Sequence, residues 1–248
     1  MKLAIAGGTG VVGRHVVSAA QAQGHEVTVL SRSAGVDIVA GDGLADALTG
    51  VQTIVDVTNS GTQEERASTD FFVAAAGNLQ RAGAQAGVEH IVTLSIVGID
   101  EVPFGYYAAK LAHERVAAAG PVPATILRAT QFHELPAQMI GWTAEDGVAH
   151  LPDLTVQSVA ARTVADVLVE LAAAPPAGRA ADLGGPDVRR LIDLAEAIVE
   201  RRGSEIAVEV DDPGDIDPRA LLPGAGARIE PPSFDEWLDS EDAAALAL

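Results

Sequence analysis

Tyr106 and Lys110, in Tyr106-Tyr107-Ala108-Ala109-Lys110, are the residues of this chain best spaced for proton transfer. At i and i+4 they share one face of a helix, so a phenol and an ammonium can act on one bound molecule. A phenol of ordinary pKa near 10 is a poor proton shuttle at neutral pH, and a cation beside it draws that value down. Ser95, at the end of a predicted strand just before this helix, brings a hydroxyl that can hydrogen-bond a substrate carbonyl. Tyr107 packs or lines the same cleft, or takes the acid role in a shifted register. The Tyr-Lys spacing alone is a weak motif, since ordinary amphipathic helices often carry it.

What gives these residues a purpose is the start of the chain, Lys2-Leu3-Ala4-Ile5-Ala6-Gly7-Gly8-Thr9-Gly10-Val11-Val12-Gly13. An apolar strand runs into three glycines spaced GxxGxxG and then into a helix, with Val12, Val16 and Ala20 on its inner face. Gly7 suits the tight turn, Gly10 lets backbone approach a pyrophosphate, and Gly13 lets helix and strand pack closely. Thr9, Val11 and Val12 complete a loop whose amides face the anion at the helix N-terminus. This is a dinucleotide cradle. Lys110 would then also hold the nicotinamide ribose.

Cofactor preference is read at the second strand, which ends Val29-Leu30-Ser31-Arg32-Ser33. An acidic residue here suits the ribose hydroxyls of NAD, whereas a cation suits the extra phosphate of NADP. Arg32 offers a charged planar fork and Ser31 and Ser33 offer hydroxyls, so NADP(H) is preferred over NAD(H). A surface pair between Arg32 and Asp37 is the competing use of that arginine. Asp42 could meet the adenine amino group or cap the next helix. Thr58 and Asn59 leave a strand where the carboxyl edge of a sheet lines the cofactor cleft.

Six strands are expected, at Lys2–Ala6, Glu26–Leu30, Val36–Val39, Thr53–Val57, His90–Ser95 and Ala124–Leu127, alternating with helices such as Asp70–Ala86 and Tyr106–Ala119. That alternation implies an α/β, Rossmann-type, doubly wound parallel sheet. Residues 1–130 form the nucleotide-binding domain and 131–248 a smaller C-terminal substrate lobe with helices at Thr163–Ala174 and Val188–Arg202. Arg179–Leu183 is expected to return to the sheet, and Ser233–Leu248 to form a terminal helix or a frayed end.

With 35 acidic against 16 basic residues, a net charge of -19 opposes nucleic acid and anionic membrane as partners. The chain has no cysteine, which excludes disulfides, thiolate nucleophiles and Cys-ligated metals. No leader is evident, no apolar run reaches the roughly 18 residues of a membrane span, and residence is expected to be cytoplasmic. The six histidines show no metal spacing, so no metal site is expected.

A substrate face is expected from Gln131, Phe132, His133 and the loop through Met139 and Trp142, after the last strand. His133 could donate to a carbonyl or quinone oxygen, or pair with Glu134 as a loop residue. Arg162 and Asp166, at i and i+4, read as a structural pair. A flat or apolar small molecule suits the aromatics gathered here.

Together, Gly7-Gly8-Thr9-Gly10-Val11-Val12-Gly13, Val29-Leu30-Ser31-Arg32, Thr93-Leu94-Ser95-Ile96-Val97-Gly98, Tyr106-Tyr107-Ala108-Ala109-Lys110 and Thr125-Ile126-Leu127-Arg128-Ala129-Thr130-Gln131-Phe132 resemble the short-chain dehydrogenase/reductase superfamily. Within it the likeness is to the atypical, NmrA-like NAD(P)H-binding branch, over most of the chain. The resemblance implies a sheet ordered 3-2-1-4-5-6, NADP held by Gly7, Gly10, Gly13 and Arg32, and a ribose contact from Lys110. It implies hydride transfer to a carbonyl or quinone, with Tyr106 as acid, Lys110 as its tuner and Ser95 as substrate anchor. Two alternatives stay open: a redox-sensing regulator that binds NADP(H) without turnover, and an extended-type sugar-nucleotide epimerase or dehydratase. The chain is expected to be a monomer, or a homodimer through its Asp70–Ala86 and Tyr106–Ala119 helices.

Overall fold

A computed structural model describes residues 1–246; the last two residues of the expected terminal helix, Ala247 and Leu248, lie outside the described residues. The chain divides into two units, Met1–Arg128 with Val164–Ala181, and Ala129–Thr163 with Asp182–Leu248. Val164–Ala181, expected in the C-terminal lobe, thus belongs to the first unit.

The first unit alternates β1 (Lys2–Ala6), α1 (Val11–Ala22), β2 (Glu26–Leu30), the short α2 (Leu44–Ala47), β3 (Thr53–Asp56), α3 (Glu65–Ala86), β4 (His90–Ile96), α4 (Gly105–Ala119) and β5 (Ala124–Ala129). The intervening α5 (Leu135–Thr143), β6 (Val148–Pro152) and β7 (Thr155–Val156) belong to the second unit, after which α6 (Ala161–Ala173) and β8 (Gly178–Arg179) return to the first. Its strands lie in the order β2-β1-β3-β4-β5, with β8 beside β5. Ile5 of β1 sits between Val29 and Val55, and Val55 faces Val92, all in parallel register. Such β-branched strands, covered on both faces, read as continuous apolar runs. Leu3, Ile5, Ile54, Val55 and Val92 are accordingly fully buried.

The third expected strand, Val36–Val39, is absent. Only residues 31 to 35 separate it from β2, far fewer than the roughly dozen residues a parallel crossover needs. The chain instead makes one 3-10 turn at Arg32–Ala34 and closes on itself. Asp37 donates its amide to the Asp42 carbonyl at 3.0 Å, and Gly41 donates to the Asp37 carbonyl at 2.7 Å. The implied order 3-2-1-4-5-6 therefore loses its first member, and β2 is the edge of the sheet.

Helices α3 and α4 pack together on one face of the sheet unit, and Arg128 of β5 anchors α4 from below. Its guanidinium donates twice to Glu114, at 2.7 Å each, and also reaches Asp100. A bidentate pair of this kind fixes orientation as well as distance.

The second unit continues with β9 (Leu183–Gly184), β10 (Arg189–Arg190), α7 (Leu191–Arg202), β11 (Ala207–Asp211), β12 (Arg228–Ile229), α8 (Phe234–Leu238) and α9 (Glu241–Ala244). Strand β6 pairs in parallel with β11, and α5 and α7 pack with them. The last residue of β5, Ala129, pairs with Leu183 of β9, which carries β12. Strand β8 pairs with β5 within the first unit, at Thr125 and Ile126. Among the described residues no helix is long and apolar enough to cross a membrane.

Candidate functional site

The glycine loop has the geometry that its spacing requires. Gly7 sits at φ +83, where side chains are strained, and a Cβ there would meet the Val57 carbonyl oxygen at 2.7 Å. A Cβ on Gly13 would come within 2.0 Å of the Gly7 oxygen and 2.7 Å of Gly8 Cα, so helix α1 rests on the loop with no room for a methyl group. Gly10 is the N-cap of α1, has no side chain over the helix end, and no acidic residue stands in the first turn. The first amides of α1 are therefore left to an anion, and the cradle fits a dinucleotide pyrophosphate.

Beside the loop lies a cavity of about 540 Å³, lined by Gly7, Thr9, Ser31, Arg32, Thr58 and Asn59 among the expected residues. Thr9 and Arg32 are exposed. The Asp37 carboxylate accepts the Ala40 and Val39 amides at 3.0 and 2.9 Å, and these bonds, with a smaller contribution from the Arg32 charge, hold its pKa below the ordinary value. Ser31 and Ser33 join their hydroxyls at 3.0 Å next to Arg32. Asp42 lies outside the lining, exposed at the foot of the 37–42 turn, and its place against the cavity is taken by Asp37, Ile38 and Val39. The sequence reading missed that loop because it assumed a strand.

The proton-transfer residues are arranged differently from expectation. Tyr106 donates its hydroxyl to Asn59 Oδ1 at 3.1 Å, which brings the phenol to a residue of the cavity wall. Lys110 does not face it. The Lys110 side chain runs inward, donates to the Leu94 carbonyl at 2.9 Å, lies 2.9 Å from His113 Nδ1 and stands 4.6 Å above the Phe72 ring. Burial pushes the Lys110 pKa down to about 8, with Asp56 and Glu114 opposing that shift. Burial raises the Tyr106 phenol, and neighbouring Tyr107 raises it further. The expectation that Lys110 lowers the phenol is thus corrected: the ammonium is engaged elsewhere, and Tyr106 stays protonated at neutral pH. Tyr107 is also raised by burial. Ser95 ends in the interior, and its hydroxyl has no hydrogen-bond partner among the described residues.

Behind Lys110 lies a buried series that the sequence reading missed. His113 Nε2 meets Asp56 Oδ2 at 2.8 Å, and Asp56 Oδ1 accepts the Thr58 hydroxyl at 2.7 Å. Burial would raise the Asp56 carboxyl, yet His113, Thr58 and Lys110 hold it at about 2. Burial and the Lys110 charge lower His113. The signal was available, since His113 lies one turn beyond Lys110 on the same face. Its partner on β3 was not, because the contact spans 57 positions of sequence.

In the second unit, Gln131 is buried and both polar atoms of its side chain lack partners among the described residues. Phe132 is half-buried, and Trp142 is exposed on α5. The loop expected around Met139 is this helix, which opens with Pro136, a residue the first turn tolerates. His133 is buried rather than set on an open face. Its ring lies 2.8 Å from the Ser158 hydroxyl and 3.2 Å from the Pro232 carbonyl, against Phe234 and Trp237. Burial brings its pKa down to about 4, which makes it a neutral core residue. Glu134 accepts the Ala161 amide. Arg162 makes a two-pronged pair with Asp242, at 2.6 and 2.7 Å.

The family model that matches residues 7–175 is described as NAD(P)H-binding. No curated protein matches the chain in sequence. Among solved structures, a dTDP-glucose 4,6-dehydratase from Streptomyces venezuelae with NAD bound is similar with TM-score 0.74 and 19% identity, covering 98% of both chains. MoeE5 in complex with UDP-glucose and NAD gives 0.72 and 17%, covering 99% of this chain and 92% of its own. The NADPH-dependent quinone oxidoreductase QOR2 of Escherichia coli gives 0.65 and 21%, covering 85% and 78%.

Proposed function

This chain belongs to the NAD(P)H-binding family, and from that premise we propose that it is an atypical, NmrA-like member of the short-chain dehydrogenase/reductase superfamily, an NADP(H)-dependent oxidoreductase that reduces a carbonyl or quinone. The observation that carries the proposal is the methyl-free contact of Gly13 on the Gly7 loop beside a cavity whose edge bears Arg32 and Ser31. When bound, the nicotinamide supplies the hydride. The protein's own groups do the rest. Gly7, Thr9, Gly10, Val11, Val12 and Gly13 hold the pyrophosphate, and Arg32 with Ser31 and Ser33 holds the ribose 2'-phosphate.

Tyr106 is the proton donor to the substrate oxygen: its one phenolic proton, which Asn59 Oδ1 accepts in the absence of substrate, turns to that oxygen on binding. Ser95, expected as substrate anchor, takes no part in this reading, because it is buried and is not among the residues that line the cavity. Lys110 acts from behind, tying α4 to the Leu94 carbonyl of β4.

One observation favours a second reading, a nucleotide-binding regulator without turnover. Lys110 is committed to Leu94 and His113, so nothing beside Tyr106 activates it. Titration with NADPH and NADH, alongside Arg32→Ala and Gly10→Asp, and NADPH oxidation against quinones and aldehydes separate the two. The oxidoreductase reading expects NADPH affinity to fall about tenfold or more in Arg32→Ala, with NADH binding unchanged and turnover abolished in Tyr106→Phe. Tight binding with no turnover supports the regulator, and binding of neither nucleotide overturns both.

A further inference from the structure

The wall of the nucleotide cavity formed by Ile38 and Val39 belongs to no strand, so no neighbouring strand satisfies its carbonyls. Asn78, on α3, does so. Its amide nitrogen donates to the Ile38 oxygen at 3.0 Å and to the Val39 oxygen at 2.7 Å. Its own oxygen accepts from the Arg81 guanidinium, one turn along the helix, at 2.7 Å. The orientation of this amide is dictated by chemistry, because two carbonyls require a donor and an arginine requires an acceptor. Asn78 is itself buried, although Val39 and Arg81 at the far ends of these bonds are exposed.

On the other side of the same segment, the Asp37 carboxylate takes the Val39 and Ala40 amides. Gly41, at φ +88, turns the chain past Asn78 and Arg81. The two Asn78 bonds join α3 to the part of the wall next to Ser31 and Arg32, where the adenosine half of a dinucleotide would rest.

We propose that Asn78 is a positioning residue for the adenosine half of the dinucleotide, acting through the main chain of residues 37–41. This rests on the nucleotide-binding reading above. Asn78 stands in for the strand that the short connection after β2 cannot form, and Arg81 sets its orientation. The nicotinamide end, near Asn59 and Tyr106, is independent of the brace.

The test is Asn78→Asp, which keeps the shape but sets a carboxylate oxygen against two carbonyl oxygens. Binding of NADPH and of reduced nicotinamide mononucleotide, which lacks the adenosine, is followed by nicotinamide fluorescence. NADPH should bind about tenfold more weakly in the variant, with the mononucleotide unaffected. Arg81→Met, which leaves the amide in place, should weaken NADPH about threefold, and it decides the matter if Asn78→Asp does not fold. Unchanged NADPH binding in both variants, or equal weakening of both ligands, overturns the inference. Failure of the unaltered protein to bind NADPH would instead overturn the nucleotide-binding reading itself.

Discussion

Lys110 and His113, one turn apart on α4, meet at 2.9 Å inside the sheet unit, and His113 carries the contact on to Asp56 at 2.8 Å. The imidazole therefore works with both nitrogens: Nδ1 accepts from the ammonium and Nε2 donates to the carboxylate. Its lowered pKa agrees with this neutral form. A cation, a neutral ring and an anion are thus buried as one hydrogen-bonded series, and none of the three has water to replace a lost partner.

Asp56→Asn should therefore destabilise the protein by about 3 kcal/mol at pH 7, because the ammonium loses its buried counter-charge. The folded pKa of Asp56, about 2, lies below the ordinary carboxylate value. Its contribution is accordingly complete above the ordinary value and is lost as pH falls towards 2. Urea unfolding at pH 7, 4 and 3 should show the variant flatter than the parent over the last interval; parallel curves would contradict the pairing.

Tyr106 and Tyr107 are the chain's two tyrosines, so the ultraviolet absorbance of phenolate reports on this site alone. Burial raises both pKa values. Less phenolate should form at pH 10 than two ordinary tyrosines would give, and Lys110→Met should leave that titration unchanged. Phenolate present near neutral pH and lost in Lys110→Met would restore the tuning role that the lysine was expected to have.

His133 gives a different pH window. Its folded pKa of about 4 lies below the ordinary value, so the unfolded chain takes up a proton that the folded chain refuses. Stability should fall as pH drops from about 6.5 to 4, by up to about 3 kcal/mol. His133→Phe loses the bonds to Ser158 and Pro232 at pH 7 but should flatten thermal melts between those pH values relative to the parent, leaving the share of the slope that the lowered His113 and His90 contribute.

The glycine loop predicts a ranking. A methyl on Gly13 meets backbone at 2.0 Å, whereas one on Gly10 comes no closer than 3.3 Å to the Gly7 oxygen. Gly13→Ala should cost about 1–3 kcal/mol and abolish nucleotide binding, since backbone must move. Gly10→Ala should cost under about 1 kcal/mol. Equal thermal shifts for the two variants would show that α1 does not rest on the loop as described.

Local pattern alone determined the β1 strand, the glycine turn, the α1 helix and the positions of β3, β4, α4 and β5, because each is set by short-range periodicity, by the glycine positions and by the length of apolar runs. The same local information marked Gly7, Thr9, Arg32, Thr58 and Asn59, which meet at one cavity. It could not show that the five residues after Leu30 are too few for a crossover to be completed, which removed a strand and gave its role at the cavity to a braced turn. Nor could it show where a side chain as long as that of Lys110 would end. Helical spacing put the ammonium on the face of Tyr106, but the Leu94 carbonyl, the Phe72 ring and the Asp56–His113 pair drew it into the interior. Leu94, Phe72 and Asp56 lie on three other elements, and only packing brings them to one point. His133 was decided in the same way: its neighbours, Ser158, Pro232, Phe234 and Trp237, come from chain segments distant in sequence, and their burial made a core residue of a histidine that sequence had left at a substrate face.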